Sequence, residues 1–353
     1  MKPAALGNIP SKSAAVQQKE DTPPMNLWQE YKRPTSVLEA VQSLASASGP
    51  ALPIAGGTDL LLDLKQGRHA PIHTLIDLTF VPEMTALELR GDELYIGAAV
   101  PVNRVALDPL TGTHAQALVE ACNLIAGPQV RNTATLGGNV AHALPAADGT
   151  IALTALEAQA EVAGVSGTRR MPFTSLFLGP GKSAIDKTKE IIVGFHLPLS
   201  TPHIASCFKR IMRPQGVALP ILNCAVWLER AGDVVNDIHI AVGPGSSIPF
   251  RATEAESALR GKSLSEETFN QTLDALLGQA QFRTSARRAT SDYRKHIVGG
   301  LFKDVLDTAW ARAVPPGAPP RANPSPTKKF PPPPPPPPPP NFRKQTNDQS
   351  NLT

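Results

Sequence analysis

The chain has 353 residues, of which 41% are hydrophobic, enough for about two to three ordinary globular domains. Its pI of about 9.0 points at first to nucleic acid. The charge is local, however. From Ala313 to Thr353 the chain carries Arg321, Lys328, Lys329, Arg343 and Lys344 against Asp348, so the formal charge of +4 sits in this segment and the body is neutral. A neutral body gives little support to the basic footprint of a DNA- or RNA-binding protein.

Residues 1 to 24 are polar and weakly patterned, read as a disordered N-terminal extension, and Met25 offers an alternative start. No charged-then-apolar leader opens the chain, and the longest apolar run, Ala218 to Leu228, is far short of the roughly 20 residues that span a bilayer. The expected location is cytoplasmic, with no membrane span. "SVLEAVQSLASAS" (36–48) predicts an amphipathic helix with Val37, Leu38, Val41 and Leu44 on one face. A strand-like "LPIA" and "TLIDL" (74–78) complete a small α/β lobe, about 25–85.

A second lobe is expected over about 86–200. "ELYIGAAV" (93–100) reads as a strand, and "HAQALVEACNLIA" (114–126) and "TIALTALEA" (150–158) read as helices. "AQAEVAGV", "TRRMPF" and "EIIVGFHLP" alternate like antiparallel strands. A third unit, 205–312, pairs "LPILNCAVWLER" with "VNDIHIAVGP". "SEETFNQTLDALLGQA" (265–280) opens with a Ser-x-x-Thr cap and an acidic first turn. "SDYRKHIVGGLFKDVLDTAWARA" (291–313) closes it as a helix, with Gly299-Gly300 marking a candidate break. Residues 313–353 hold 16 of the 37 prolines, ten of them consecutive, and read as a disordered tail. Cys122, Cys207 and Cys224 are far apart and form no C-x-x-C pair, so they read as reduced, buried small residues.

Two segments carry chemistry. In "LPIAGGTDLLLDLKQG" (52–67) an apolar run breaks at Gly56-Gly57, and a helix pattern follows Thr58 and Asp59. This is either a plain strand-to-helix turn, with Thr58 or Asp59 as cap, or a phosphate cradle in which bare glycines admit a ligand to the backbone. It lacks the Gly-Lys-Ser/Thr of a Walker loop and the G-x-G-x-x-G of a dinucleotide fold. "AGPQVRNTATLGGNVAHALPAADG" (126–149) holds a second pair, Gly137-Gly138, between Thr135 and Asn139, with Asp148 downstream. Two such loops in successive lobes suit a pyrophosphate lying between them, and equally suit two unrelated turns.

In order and spacing these segments resemble the FAD-binding medium subunit of the xanthine dehydrogenase and carbon monoxide dehydrogenase family of molybdenum hydroxylases. The resemblance covers nearly all of residues 25 to 312. "AGGTDLLLDLK" is similar to the first FAD loop, "TLGGN" followed by "PAAD" to the second, and "LFLGPGKSAIDKTKEIIVGFHLP" (176–198) to the segment that closes the flavin domain. It implies an α+β fold: a two-lobed FAD-binding domain of the vanillyl-alcohol oxidase type over 25–200, then a small α/β C-terminal domain over 205–312.

By resemblance, Pro53, Ile54, Ala55, Gly56, Gly57, Thr58, Asp59 and Leu60 would wrap the FAD pyrophosphate. Ile125 would pack on the cofactor. Thr135, Leu136, Gly137, Gly138 and Asn139 would bind phosphate and ribitol. Asp148 would contact polar groups, and Ile192 and Lys209 would approach the isoalloxazine or its edge. No residue reads as catalytic and no metal ligand is expected. FAD would be bound non-covalently. Molybdopterin and [2Fe-2S] clusters would sit only in partners, a molybdenum large subunit and an iron-sulfur small subunit, in a heterotrimer or its dimer. The implied role is electron transfer from those clusters through FAD to NAD or another acceptor. The alternatives are a free-standing FAD oxidoreductase and a scaffold subunit that has lost FAD. The chain departs from the family's frequent "R-R-D-D-x-A" after the aligned lysine, reading "IMRPQGVALPI" (211–221) instead.

Overall fold

The structure, a computed structural model, describes residues 27–214 and 218–314. The N-terminal extension and residues 315–353 of the tail lie outside the described residues. The first lobe is a three-stranded sheet in the order β1-β3-β2, formed by β1 (Trp28–Lys32), β2 (Ala51–Ile54) and β3 (Ile72–Asp77). Both pairings are parallel, so each needs a crossover, supplied by α1 (Val37–Ala45) and α2 (Leu60–Lys65). Ser36 caps α1 by accepting the Glu39 N–H. The buried face of α1 is Ala40, Val41 and Leu44, while Leu38, expected inside, is exposed.

The second lobe begins with α3 (Pro82–Thr85) and a hairpin of β4 (Leu87–Arg90) and β5 (Glu93–Gly97). Six helices follow: α4 (Val102–Leu107), α5 (Pro109–His114), α6 (Gln116–Leu124), α7 (Pro128–Arg131), α8 (Leu136–Ala141) and α9 (Asp148–Ala155). Next come β6 (Gln159–Gly164), β7 (Gly167–Pro172), the short pair β8 (Phe177–Gly179) and β9 (Lys182–Ser183), and β10 (Glu190–Pro198). The main sheet runs β4-β5-β10-β6-β7 and is antiparallel throughout. β10 takes the centre because its run from Ile191 to Leu197 is buried on both faces. Every residue of α9 is buried, which makes it a core helix without a solvent face.

The C-terminal domain is an antiparallel sheet of β11 (Ile204–Met212), β12 (Pro220–Ala231), β13 (Val234–Gly243) and β14 (Phe250–Arg251), with β15 (Lys262–Ser263) also on β13. The helices are α10 (Thr253–Leu259), α11 (Glu266–Gln279) and α12 (Ser291–Arg312). Alternate β12 side chains serve two cores. Cys224, Val226 and Leu228 join Val298, Phe302 and Val305 of α12, whereas Ala225 and Trp227 pack into the core of the preceding domain. Glu120 of α6 fastens the two domains. It accepts the Phe208 N–H at 2.7 Å and pairs with Arg312 at 2.5 Å. Ser265 and Thr268 form the expected capping box on α11. α12 runs unbroken through Gly299-Gly300. Ala313 and Val314, assigned to the tail on sequence, remain attached: Ala313 is buried and the Val314 N–H donates to Pro202 O at 2.9 Å. All three cysteines are buried and unpaired, and among the described residues no helix is long and apolar enough to cross a membrane.

His239 lies between the domains. Its ring stacks on Trp227 with centroids 4.5 Å apart, and Nδ1 lies 3.1 Å from Ala155 O. Burial, then the Arg251 cation, holds its pKa below the ordinary histidine value, outweighing Glu157, Glu256 and Asp237. The folded state therefore binds this proton less readily than the unfolded chain. The stability contribution is complete above the unfolded histidine pKa of about 6.5 and is lost as pH falls below it. Denaturant melts at pH 7.5 and 5.5 should show a loss at the lower pH that is smaller in His239→Gln. Equal losses in both proteins would contradict this.

Candidate functional site

The first glycine loop leaves β2 after Ile54 and enters α2 at Leu60. Gly57 has φ of +63°, a left-handed conformation that side chains resist. Gly56 answers a different need: a Cβ there would lie 2.2 Å from Thr133 O on the second loop. Neither expected cap is formed. The Asp59 side chain makes no capping bond, and the Thr58 hydroxyl has no partner among the described residues. The backbone N–H groups of Gly56, Gly57, Thr58 and Asp59 likewise have no acceptor among the described residues. Four consecutive open donors form an anion cradle.

The second loop is built differently. Leu136 and Gly137 donate their N–H groups to Val100 O and Ala98 O at 3.1 and 2.8 Å. Thr135 caps α8 by accepting the Gly138 N–H at 3.1 Å. The early donors of this loop are thus already used. What it offers a ligand is space and an acceptor. A Cβ on Gly138 would meet only Thr135 Oγ1, at 3.1 Å, whereas one on Gly137 would strike Ala98 Cβ at 2.5 Å. Asn139 Oδ1 is buried without a partner.

Both loops open on one cavity of about 610 Å³, lined by Pro53 to Leu60, Ile125, Thr135, Gly138, Asn139 and Asp148. A smaller cavity of about 210 Å³ shares Pro53, Ala55, Leu60 and Gly138 with it and contains Gly137 and Ile192. Ile192 therefore lies in the apolar annex, not in the main cavity. Leu136 is fully buried beneath the second loop. Lys209 lines neither cavity. Its ammonium sits 2.6 Å from Asp304 Oδ1 and donates to Thr308 Oγ1 at 3.0 Å.

The next residue on β11, Arg210, points to the opposite face of the sheet and into the main cavity. Arg210 is in register with Asn223 of β12, and both reach Asp148. Arg210 Nη1 pairs with Asp148 Oδ2, and Asn223 Nδ2 donates to Oδ1 at 2.8 Å and to Ala146 O at 3.1 Å. Burial pushes the Asp148 carboxyl up, while Arg210 and Asn223 counter this by bonding its charged form. With both oxygens engaged, Asp148 holds Arg210 at the cavity wall, a contact that sequence reasoning missed. Arg131 fixes the Ile125 turn. Its Nη1 donates to Ile125 O and Ala126 O at 3.1 and 2.8 Å, and Ala126 has φ of +45°.

An open N–H cradle, an unpartnered amide oxygen and an apolar annex suit a long cofactor with a diphosphate at its middle. Comparison with known proteins agrees. Residues 25–200 match the FAD binding domain of molybdopterin dehydrogenases, and residues 206–309 match the CO dehydrogenase flavoprotein C-terminal domain. The carbon monoxide dehydrogenase medium chain of Hydrogenophaga pseudoflava is 31% identical over 283 residues, 80% of this chain and 97% of that one. The xanthine dehydrogenase FAD-binding subunit of Escherichia coli O157:H7 is 30% identical over 286 residues, covering 80% and 96%. A solved structure of carbon monoxide dehydrogenase from Hydrogenophaga pseudoflava superimposes with a TM-score of 0.76, covering 81% of this chain and 98% of that one at 31% identity. The chain is thus an FAD-binding oxidoreductase subunit. It belongs to the family of medium subunits of the carbon monoxide and xanthine dehydrogenases.

The two loops predict distinct mutant behaviour. Gly57→Val and Gly138→Val should each weaken FAD by at least about tenfold, the first through backbone strain and the second by filling the cavity. Gly138→Val should melt near the wild type. Asp148→Asn should cost about 1–3 kcal/mol of FAD affinity, the scale of one lost charge-assisted bond. Flavin fluorescence titration reads all three. Full affinity in either valine variant would remove that loop from the site.

Proposed function

We propose that this chain is the flavin module of a molybdenum hydroxylase complex. In this reading it receives electrons from the [2Fe-2S] clusters of an iron-sulfur subunit and delivers them to NAD or another soluble acceptor. The open N–H row from Gly56 to Asp59, facing the bare Gly138 surface across one cavity, carries the reading. FAD, when bound, supplies the exchange between one-electron donors and a two-electron acceptor.

The chain's own residues bind and orient it. Gly56 to Asp59 donate to the diphosphate. Asn139 Oδ1 accepts from a hydroxyl of the linking chain. The annex around Ile192 takes the adenine, and Ile125, held by Arg131, packs on the flavin in the main cavity. Arg210, held by Asp148, presents a fixed cation there. The chain has three cysteines, all buried, fewer than the four thiolates that a [2Fe-2S] cluster takes, which supports placing the clusters in a partner subunit.

Tagged chain purified from its native cells tests this. FAD should be released by acid, which marks it as non-covalent, and iron, labile sulfide and molybdenum should co-elute with it. A chain that elutes alone, with flavin bleached directly by an organic substrate, would establish a free-standing oxidoreductase instead.

A further inference from the structure

One charged pair on the main cavity is buried and locked from behind. The side chains of Arg210 and Asp148 are each 5% exposed and pair with one another. Asp148 opens α9, where the helix dipole favours its negative charge. Its other oxygen accepts from Asn223 Nδ2 at 2.8 Å, and Asn223 is fully buried and donates also to Ala146 O. Asn223 is itself confined: a Cβ on Gly243 would lie 2.3 Å from its Oδ1, so the β13 backbone packs flush against it. The guanidinium is only partly used. Nη2 has the Met212 thioether, at 3.1 Å, and Nε has no partner among the described residues. Other cations on the cavity differ. In the arginine loop before α12, Arg288 is half-buried and Arg283 and Arg287 are exposed, so water and salt screen them. Arg294 is buried, but its Nε and Nη1 are taken by Ile221 O and Arg283 O.

A locked ion pair suits a particular kind of ligand group. Both carboxylate oxygens are engaged while guanidinium N–H groups remain, so what the pair offers a ligand is donors. The permanent charge of a diphosphate already has the N–H row of Gly56 to Asp59. Fixed donors serve best where charge develops, because nothing must reorganise when it appears. The isoalloxazine is such a group. Oxidised, it is neutral. On taking up two electrons, and one proton at N5, it becomes an anion whose charge lies on N1 and the C2 carbonyl, where nearby protein charge tunes it. We infer that the Arg210–Asp148 pair, locked by Asn223, holds the guanidinium at the N1–C2 edge of the isoalloxazine and binds the reduced flavin more tightly than the oxidised one. Arg210 contacts the cofactor, and Asp148 and Asn223 are positioning residues. The inference rests on the flavin occupying the main cavity, as proposed above. Tighter binding of the reduced form raises the flavin's midpoint potential by linkage, which draws electrons from the cluster side.

The test is the midpoint potential of the FAD-loaded full chain, from dithionite titration against a reference dye, measured beside the affinity for oxidised FAD. Arg210→Gln should weaken reduced FAD at least about tenfold more than oxidised FAD, which lowers the potential of this two-electron couple by about 30 mV. Arg210→Lys, which keeps the charge, should fall less. Arg210→Gln leaves Asp148 buried without its cation, so the paired variant Arg210→Gln, Asp148→Asn carries the test if the single variant does not fold, and it should show the same fall. Arg287→Gln, on the exposed loop, should stay near the wild-type potential. An unchanged potential in both Arg210→Gln proteins, or oxidised and reduced FAD weakened alike, overturns the inference and leaves FAD binding intact. A rise in place of the fall overturns it too, by making Asp148 the charge that the flavin meets. An equal fall in Arg287→Gln overturns the local role by showing a diffuse field. Wild-type chain that takes up no FAD removes the reading on which the inference rests.

Discussion

The site depends on one close approach, the Gly56 backbone seated on the carbonyl of Thr133. A β-carbon cannot fit there, so only glycine lets the turn of the first lobe touch the loop of the second. Hydrogen bonds from Val102, Leu136 and Gly137 pin that second loop to the segment after β5. The two loops thus meet and enclose a cavity with unlike walls, while α1 of the first lobe shares its core with β6 and β10 of the second. One wall supplies unpaired N–H groups. The other has spent its N–H groups on holding itself still and supplies open space and an amide oxygen. An anion lying between these walls would meet backbone donors on one side and open space on the other.

The C-terminal domain completes the cavity because β12 has a side-chain period of two. One set of its side chains belongs to the α12 core and the other to the core around α9. The sheet is therefore shared between domains, and α6 locks it through Glu120, Phe208 and Arg312. This fixed docking carries Arg210 and Asn223 to Asp148, and it brings the arginine loop to the rim. Arginine side chains reach the cavity from the C-terminal side, while backbone donors and the carboxylates of Asp59 and Asp148 reach it from the N-terminal side.

Much of this was legible in the sequence. The strands β6, β7 and β10, the paired β12 and β13, and the Ser-x-x-Thr start of α11 were found where expected, although β10 is buried along both faces rather than alternating. Both glycine pairs were visible, and so was their membership of one site by resemblance. What period and composition could not separate is which glycine of each pair does what. Gly57 needs its φ, Gly56 and Gly137 need their missing β-carbons for packing, and Gly138 faces the cavity. Lys209 stood out as the aligned lysine, yet strand alternation directs Arg210 inward. The parity of β11 was set by tertiary pairing with β12, which one sequence does not display. The arginines between α11 and α12 carry no motif in the sequence, and their approach to the cavity depends on domain docking. Leu38 was misplaced because the buried stripe of α1 runs through Ala40, Val41 and Leu44, which turns Leu38 toward solvent.

Peptide-resolved hydrogen–deuterium exchange across residues 52–67, with and without saturating FAD, tests the central claim most directly. The open amides of Gly56 to Asp59 should exchange rapidly in the free chain and become strongly protected when FAD binds, while the already bonded amides of Leu136 and Gly137 change little. Stoichiometric FAD binding that leaves 56–59 unprotected would contradict the account.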